Sequence, residues 1–202
     1  PCIGLFTFVA SSFTLLSILF FSSFLNAQIQ LIYFTDAHQL YELDDVEGGR
    51  GGIARLKFLV DDSKTQNSQA ITIHGGDFVG GVLYGGIYKG DHMVDAFNRI
   101  PVYLFNFGQH EFDYGLNHLE ELINKSNGKF ITSNLIYNDG NPIFNLPSYF
   151  STEIDGMKIL FLAVTDQMST TKQDSRIQQK NISKSIQFNS TQSTQLNSIQ
   201  FN

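Results

Sequence analysis

The alternation of strand-like and helix-like runs constrains the fold of this chain more than any other feature. Three runs rich in β-branched and aromatic residues read as strands: IQLIYFT at 29–35, AITIHGGD at 70–77 and VYLFNFG at 102–108. Helical patterns lie between and after them, at 53–64, 91–100 and 116–126. The first places Ile53, Leu56, Leu59 and Val60 on one face, and the third places Leu116, Leu119 and Ile123 on one face. Strands that alternate with helices of this length predict βαβ units and a mostly parallel sheet, so the expected fold class is α/β.

Later runs extend this pattern. The stretches 129–137 and 158–166 also read as strands, and IDGMK at 154–158 is typical of a hairpin turn. The apolar stretch KILFLAVTD at 158–166 is expected to be a buried strand.

Polar side chains with metal-binding chemistry follow each of the first three predicted strands. They are Asp36-Ala37-His38, Gly76-Asp77 and Gln109-His110-Glu111-Phe112-Asp113. Because ligands bind at the carboxyl ends of parallel strands, we expect these residues to converge on one edge of the sheet. A crowded polar turn is the alternative for the third cluster, but it would not be expected to have partners after the two preceding strands.

The residue types in these clusters indicate a particular chemistry. Two carboxylates and an imidazole suit borderline metals such as Mn, Fe or Zn. A carboxylate between two ions can bridge them at about 3.5–4 Å, which is the arrangement that clamps a phosphate and activates water. His110 and Asp113 lie three residues apart, so the carboxylate can hold the imidazole. An imidazole held in this way can stabilise phosphoryl charge or protonate a leaving oxygen.

Four sequence blocks resemble, in order, those of the calcineurin-like metallophosphoesterases, and they are most similar to the secreted 5′-nucleotidase branch. The blocks are IYFTDAH, RGGIARLKFLVDD, GGDFVGGVLYGGIYKGDHMVDAFN and FGQHEFDYG. The resemblance extends over about residues 29–166. It implies a layered α/β/β/α sandwich, of which this chain has the N-terminal part. It also implies hydrolysis of a nucleotide or another phosphomonoester by a metal-activated water, with two divalent ions such as Zn or Mn.

The resemblance also implies a role for individual residues. Asp36 and His38 match ligands of one metal, Asp77 matches the carboxylate that bridges both, and Gln109 stands where the family has a metal-binding Asn. His110 and Asp113 match the His–Asp pair at the phosphate.

Two departures from the family pattern qualify this expectation. The Gln109 side chain is one methylene longer than Asn, so we expect weaker binding of the second ion. The family supplies further metal-binding histidines from later loops, whereas this sequence has no His after His118. The alternative is therefore a degenerate, non-catalytic secreted relative or binding protein. Glu111 is expected to be a structural partner and His74 to pack within its strand.

The two ends of the sequence differ from the middle, which suggests three segments. Residues 1–27 are apolar and are expected to be a secretory signal peptide or a membrane anchor, with a possible cleavage site after Ala27. Residues 28–172 form the expected catalytic-type domain. Residues 173–202 are rich in Ser, Asn and Gln, which predicts a disordered tail.

The net charge argues against nucleic-acid binding, and the sequons fit an extracellular protein. The net charge is −6 with 13 basic residues, which argues against a nucleic-acid-binding surface. Sequons at Asn124, Asn181 and Asn189 are consistent with a secreted glycoprotein, which the apolar segment could tether to a membrane. GGVLYGG lacks the Lys-Ser/Thr of a P-loop, and no G-x-G-x-x-G follows the first strand.

Overall fold

A computed structural model of the chain describes residues 29–44, 49–81, 83–166 and 174–180. The predicted signal peptide or anchor at 1–27 therefore lies outside the described residues, as do positions 181–202 of the predicted tail. Within the described ranges, no helix is both long enough and apolar enough to cross a membrane.

The centre of the fold is a parallel sheet with the strand order β1-β2-β3-β4. These strands are Leu31–Phe34 (β1), Ile71–His74 (β2), Leu104–Phe105 (β3) and Lys129–Phe130 (β4). Each pairs in parallel with its neighbour in sequence. The sequence-based prediction of an α/β fold with a parallel sheet is confirmed. The order also places the ends of β1, β2 and β3 side by side.

Helices cross between the strands and cover one face of the sheet. They are Ile53–Gln66 (α1), Leu83–Tyr88 (α2), Asp91–Phe97 (α3) and Leu116–Lys125 (α4). In α4 the leucines recur at helical spacing and are buried at 116, 119 and 122. In α1 only Val60 is buried, and Leu59, expected on the same apolar face, is 59 % exposed.

Aromatic rings fill much of the core between the helices and the sheet. Phe105 on β3 stacks against Phe130 on β4, with ring centroids 4.8 Å apart. Phe78, Phe97 and Phe107 belong to the same buried cluster. Burying each such ring contributes about 1.5–3 kcal/mol, so the aromatic cluster is a major source of stability.

The second face of the sheet is covered by an antiparallel hairpin. Strands Tyr149–Ile154 (β6) and Met157–Leu162 (β7) pair through a turn at Asp155 and Gly156, both of which have positive φ. This confirms the predicted hairpin. The expectation of a buried strand at 158–166 holds only for part of it, because β7 is half-exposed whereas Ala163 packs against Leu104.

A short antiparallel pair completes the described structure. Strand Leu135–Tyr137 (β5) pairs with Ile177–Gln179 (β8), and Ile177 is buried. The predicted disorder of the tail from residue 173 therefore does not extend over 177–179. The backbone of a polar segment is ordered here because its strand partner satisfies the N–H and C=O groups.

Candidate active site

The ends of β1, β2 and β3 form a continuous edge that we call the strand-end rim, consisting of residues 35–38, 75–81 and 107–113. The rim is joined at Gly76, whose carbonyl accepts hydrogen bonds from the Asp36 amide at 3.1 Å and the Thr35 hydroxyl at 3.0 Å. Gly76 also approaches the third segment so closely that a Cβ there would lie 2.2 Å from the Gly108 nitrogen. The three segments therefore meet in space, as the order of the parallel strands predicts.

Asp77 lies at the middle of the rim in an unusual backbone conformation. Its φ is 58°, in the left-handed region that costs energy for any residue other than glycine. One oxygen of its carboxylate, Oδ1, accepts a hydrogen bond from the His110 amide at 2.9 Å. The Asp77 side chain is thus held against the turn that carries the predicted His–Asp pair.

His110 and Asp113 pair as the sequence spacing predicts. They flank a 3₁₀ turn, His110–Phe112, and His110 Nδ1 lies 2.8 Å from Asp113 Oδ2. The hydrogen bond to Asp113 raises the pKa of His110, and partial burial opposes the rise. Because Nδ1 donates to the carboxylate, Nε2 is the nitrogen that can serve a ligand.

His38 is brought beside His110, although 72 residues separate them in sequence. Their ring centroids lie 5.8 Å apart at a near-perpendicular angle. The Nδ1 atom of His38 is buried and has no hydrogen-bond partner among the described residues. This nitrogen is therefore available to a ligand.

Glu111 is the residue of the rim whose importance the sequence does not reveal. It is 1 % exposed, and its carboxylate accepts hydrogen bonds from four backbone amides, those of Asp77, Phe78, Val79 and Gly108, at 2.5–3.1 Å. Burial raises the pKa of Glu111 to about 7, and the backbone hydrogen bonds oppose this rise. The expected structural role fits these contacts, but three of the four donors lie more than thirty residues away and no local pattern indicates them.

His74, the last residue of β2, lies beneath the rim and forms a hydrogen bond with it. Its Nδ1 accepts a hydrogen bond from the Gly76 amide at 3.0 Å, so the proton is on Nε2, which is buried among the rings of Phe34, Phe97 and Phe105. Burial lowers the pKa of His74 to about 3, which keeps the imidazole neutral. The expectation that His74 packs within its strand agrees with this position.

Gln109 begins the 3₁₀ turn, where its carbonyl accepts a hydrogen bond from Phe112 at 3.3 Å. It lies on the rim, as expected from its neighbour His110. Beside the β1 end of the rim there is an apolar groove of about 720 Å³. Asp36, His38, Tyr41, Leu43 and Leu59 are among the residues that line it.

The rim residues fit one edge of a metal centre but not a complete one. Asp36, His38 and Asp77 have suitable donor chemistry, and the unpartnered Nδ1 of His38 is a ready ligand. Across the described part of the chain, however, no three His, Cys, Asp or Glu side chains are grouped to hold an ion. A closed coordination shell needs donors in addition to those that the rim brings together.

The comparisons with known proteins agree with this architecture. No protein-family model matches the chain. A probable 5′-nucleotidase from Treponema pallidum is 25% identical over 128 residues, which are 59% of this chain and 22% of the relative. The chain thus spans about a fifth of the length of the curated relatives that it matches.

Solved structures show the same fold. The 5′-nucleotidase precursor from Thermus thermophilus matches with a TM-score of 0.74 and 19% identity, over 83% of this chain and 35% of that one. The calcineurin-like phosphoesterase YfkN from Bacillus subtilis matches with a TM-score of 0.67 and 18% identity, over 84% of this chain and 59% of that one.

The fold is an α/β domain with a parallel sheet whose first three strand ends form the rim. The chain is a distant homologue of the 5′-nucleotidases, and its fold is that of the N-terminal part of the calcineurin-like phosphoesterases. Both relationships cover only part of the homologues.

Proposed function

We propose that this chain provides the N-terminal part of a metal-dependent phosphomonoester hydrolase that acts on nucleotides. The observation that carries the proposal is the convergence on the strand-end rim of Asp36, His38, Asp77 and His110. Their loops contact one another directly, and Asp77 accepts a hydrogen bond from the His110 backbone. Convergence of carboxylates and imidazoles at strand ends is the arrangement expected of a catalytic rim in an α/β fold.

In this proposal Asp36, His38, Asp77 and Gln109 contribute ligands to a two-metal centre. Bound divalent ions such as Zn or Mn would supply an activated water and charge neutralisation at the phosphate. The rim residues form only one edge of such a centre, so a closed coordination shell needs further ligands.

His110 and Asp113 have a separate role at the phosphate. Asp113 holds the imidazole through Nδ1 and raises the pKa of His110, so the protonated form persists to higher pH than for a free histidine. Nε2–H can then donate to a phosphoryl oxygen, or pass a proton to the leaving oxygen of the nucleoside.

The test uses the 202-residue chain with Mn²⁺ or Zn²⁺, and AMP as the substrate. We expect bound metal and weak AMP hydrolysis, because the metal shell is incomplete, and Asp77→Asn should abolish both. The matched control is Asp61→Asn, which removes one carboxylate from an exposed pair with Lys57 and should leave both unchanged.

A second candidate is a degenerate relative that keeps the fold without catalysis. Gln109 and the lack of a three-residue metal group within the described ranges favour it. A purified chain that binds no metal and hydrolyses no AMP would support this candidate. Robust turnover that depends on Asp77 would instead show that the shell is complete.

We also propose that the protein is secreted or tethered to a membrane, as the apolar segment 1–27 suggests. Asn124, in a sequon, lies on α4. Expression in a eukaryotic secretory system should give a glycosylated product in the medium or at the cell surface. Asn124→Gln should reduce its mass by one glycan. An unglycosylated product confined to the cytosol would contradict this proposal.

A further inference from the structure

Glu111 links two segments of the strand-end rim through its side chain alone. Its Oε1 accepts hydrogen bonds from Phe78 at 2.7 Å and Val79 at 3.1 Å, and its Oε2 accepts from Asp77 at 2.9 Å and Gly108 at 2.5 Å. Three of these donors follow β2, whereas Glu111 itself follows β3. The carboxylate therefore bridges the segments that carry Asp77 and His110.

These hydrogen bonds fall where the backbone is strained. Asp77 has a φ of 58°, and such conformations cost about 1–3 kcal/mol and persist only where the surrounding structure imposes them. Glu111 accepts from the amide of Asp77 and from the next two amides, which fixes the peptide planes on both sides of the strained residue. The Asp77 carboxylate in turn accepts a hydrogen bond from the His110 amide.

Glu111 is not placed to act on a ligand itself. The side chain is 1 % exposed, and both of its oxygens already accept two backbone hydrogen bonds. A buried carboxylate is costly unless it is well hydrogen-bonded, so the four amides account for its presence in the core. The Glu111 carboxylate therefore interacts with the backbone amides of the rim.

We propose that Glu111 is a positioning residue, whose carboxylate holds the Asp77 segment in register with the His110 turn so that both present their side chains to the same ligand. This inference rests on the proposed function for the identity of that ligand. The positioning itself is a property of the chain and can be measured without it.

The first measurement is amide hydrogen exchange in the unmodified 202-residue chain and in Glu111→Gln. The amide side chain has nearly the same shape, but its NH₂ group turns a donor toward backbone N–H groups. We expect the amides of Asp77, Phe78, Val79 and Gly108 to be protected in the unmodified chain, and to exchange at least about tenfold faster in the variant.

The second measurement is the affinity for Mn²⁺. Partners that orient metal ligands typically change affinity by about 10–100-fold when they are removed, and we expect a loss in that range for Glu111→Gln. The control is Leu119→Ala, which opens a cavity in the core at α4 and lowers stability without removing any hydrogen-bonding side chain from the rim. Its Mn²⁺ affinity should stay within about twofold of the unmodified chain.

The outcomes separate the two proposals. Unchanged exchange at the four amides in Glu111→Gln, or equal losses of affinity in both variants, would overturn the positioning role. If the unmodified chain binds no Mn²⁺, the metal-dependent function fails, and selective loss of protection in Glu111→Gln still supports positioning. If that variant does not fold, rapid exchange of the four amides in the unmodified chain would refute the role, and strong protection would support it.

Discussion

The β2–β3 side and the β1 side of the strand-end rim are held in different ways. Glu111 gathers four backbone amides on the first side, and His74 fixes Gly76 from below. On the second side the segments are linked by separate hydrogen bonds: Asp36 and Thr35 donate to the Gly76 carbonyl, and the Gly75 amide donates to the Phe34 carbonyl. Beyond them lies the apolar groove, where Tyr41 is 67 % exposed.

Gly76 connects the two sides of the strand-end rim. Its amide belongs to the tightly held side and its carbonyl to the loosely held side. The paired side chains of His110 and Asp113 are on the more tightly held side. His38, with its unpartnered nitrogen, is on the side with fewer constraints. The more constrained side and the less constrained side of the strand-end rim therefore meet at Gly76.

The largest expected effect at neutral pH comes from substituting Gly76. Gly76→Ala should lower the free energy of unfolding by about 3 kcal/mol or more, since its φ is 110° and the new Cβ would meet backbone atoms at 2.2 Å. Gly115→Ala is the control, because its φ is also positive but no atom lies within 4 Å, and it should cost about 1 kcal/mol. Urea denaturation measures both. Equal costs would show that the close approach at Gly76 is relieved without penalty.

The next effect appears only in acid and tests the contribution of His74, which lies beneath the rim and binds the Gly76 amide. The pKa of His74 is lowered from 6.5 to about 3, so the unfolded state binds a proton in this interval and the folded state does not. Stability should therefore fall as the pH drops from 6.5 toward 3, by about 5 kcal/mol over the whole interval. His74→Phe removes this contribution, and its unfolding free energy should depend less on pH over that interval. An identical pH dependence in both proteins would contradict the assignment.

A smaller effect concerns the pair on the rim itself. Asp113 raises the pKa of His110, so the pair stabilises the fold below pH 6.5, and this contribution is lost as the pH rises through the raised pKa. Asp113→Asn should lower the pKa of His110 toward its ordinary value, measured by NMR titration of the ring protons. The change in stability should be small, because the pair is partly exposed. A pKa that does not move would mean that Asp113 does not hold the ring in solution.

The smallest effect is expected in the groove on the β1 side. Tyr41→Ser should change the unfolding free energy by no more than about 0.5 kcal/mol, because the side chain is mostly exposed. Leu119→Ala, in the helix-covered core, should cost about 2–5 kcal/mol by comparison. If Tyr41→Ser were equally costly, the groove would be part of the core and the contrast between the two sides would not hold.

Local sequence patterns predicted the features that depend on neighbouring residues. Leu116 and Leu119, predicted on the apolar face of α4, are buried, whereas Ile123 is only partly buried. The spacing of His110 and Asp113 indicated a pair, which the 3₁₀ turn forms. Leu59 fits the same periodic pattern but is exposed, because nothing in the described structure covers that side of α1.

The features that depend on distant contacts were not predictable in this way. No local pattern in the segment 177–179 indicates that it pairs with β5. The segment is ordered because its backbone hydrogen-bonds to that strand. The role of Glu111 was inferred only as structural, since its acceptors serve amides more than thirty residues earlier in the chain.

The sequence by itself determined an α/β chain with strands, helices and a set of carboxylates and imidazoles at successive strand ends. These features follow from side-chain periodicity and from the order of the elements along the chain, both of which are local properties of the sequence. Only the tertiary structure decided how those groups face one another. Close approach at Gly76, the strained backbone of Asp77 and the four amides around Glu111 arise from segments far apart in the chain. Such contacts depend on the packing of whole elements, which no short stretch of sequence specifies.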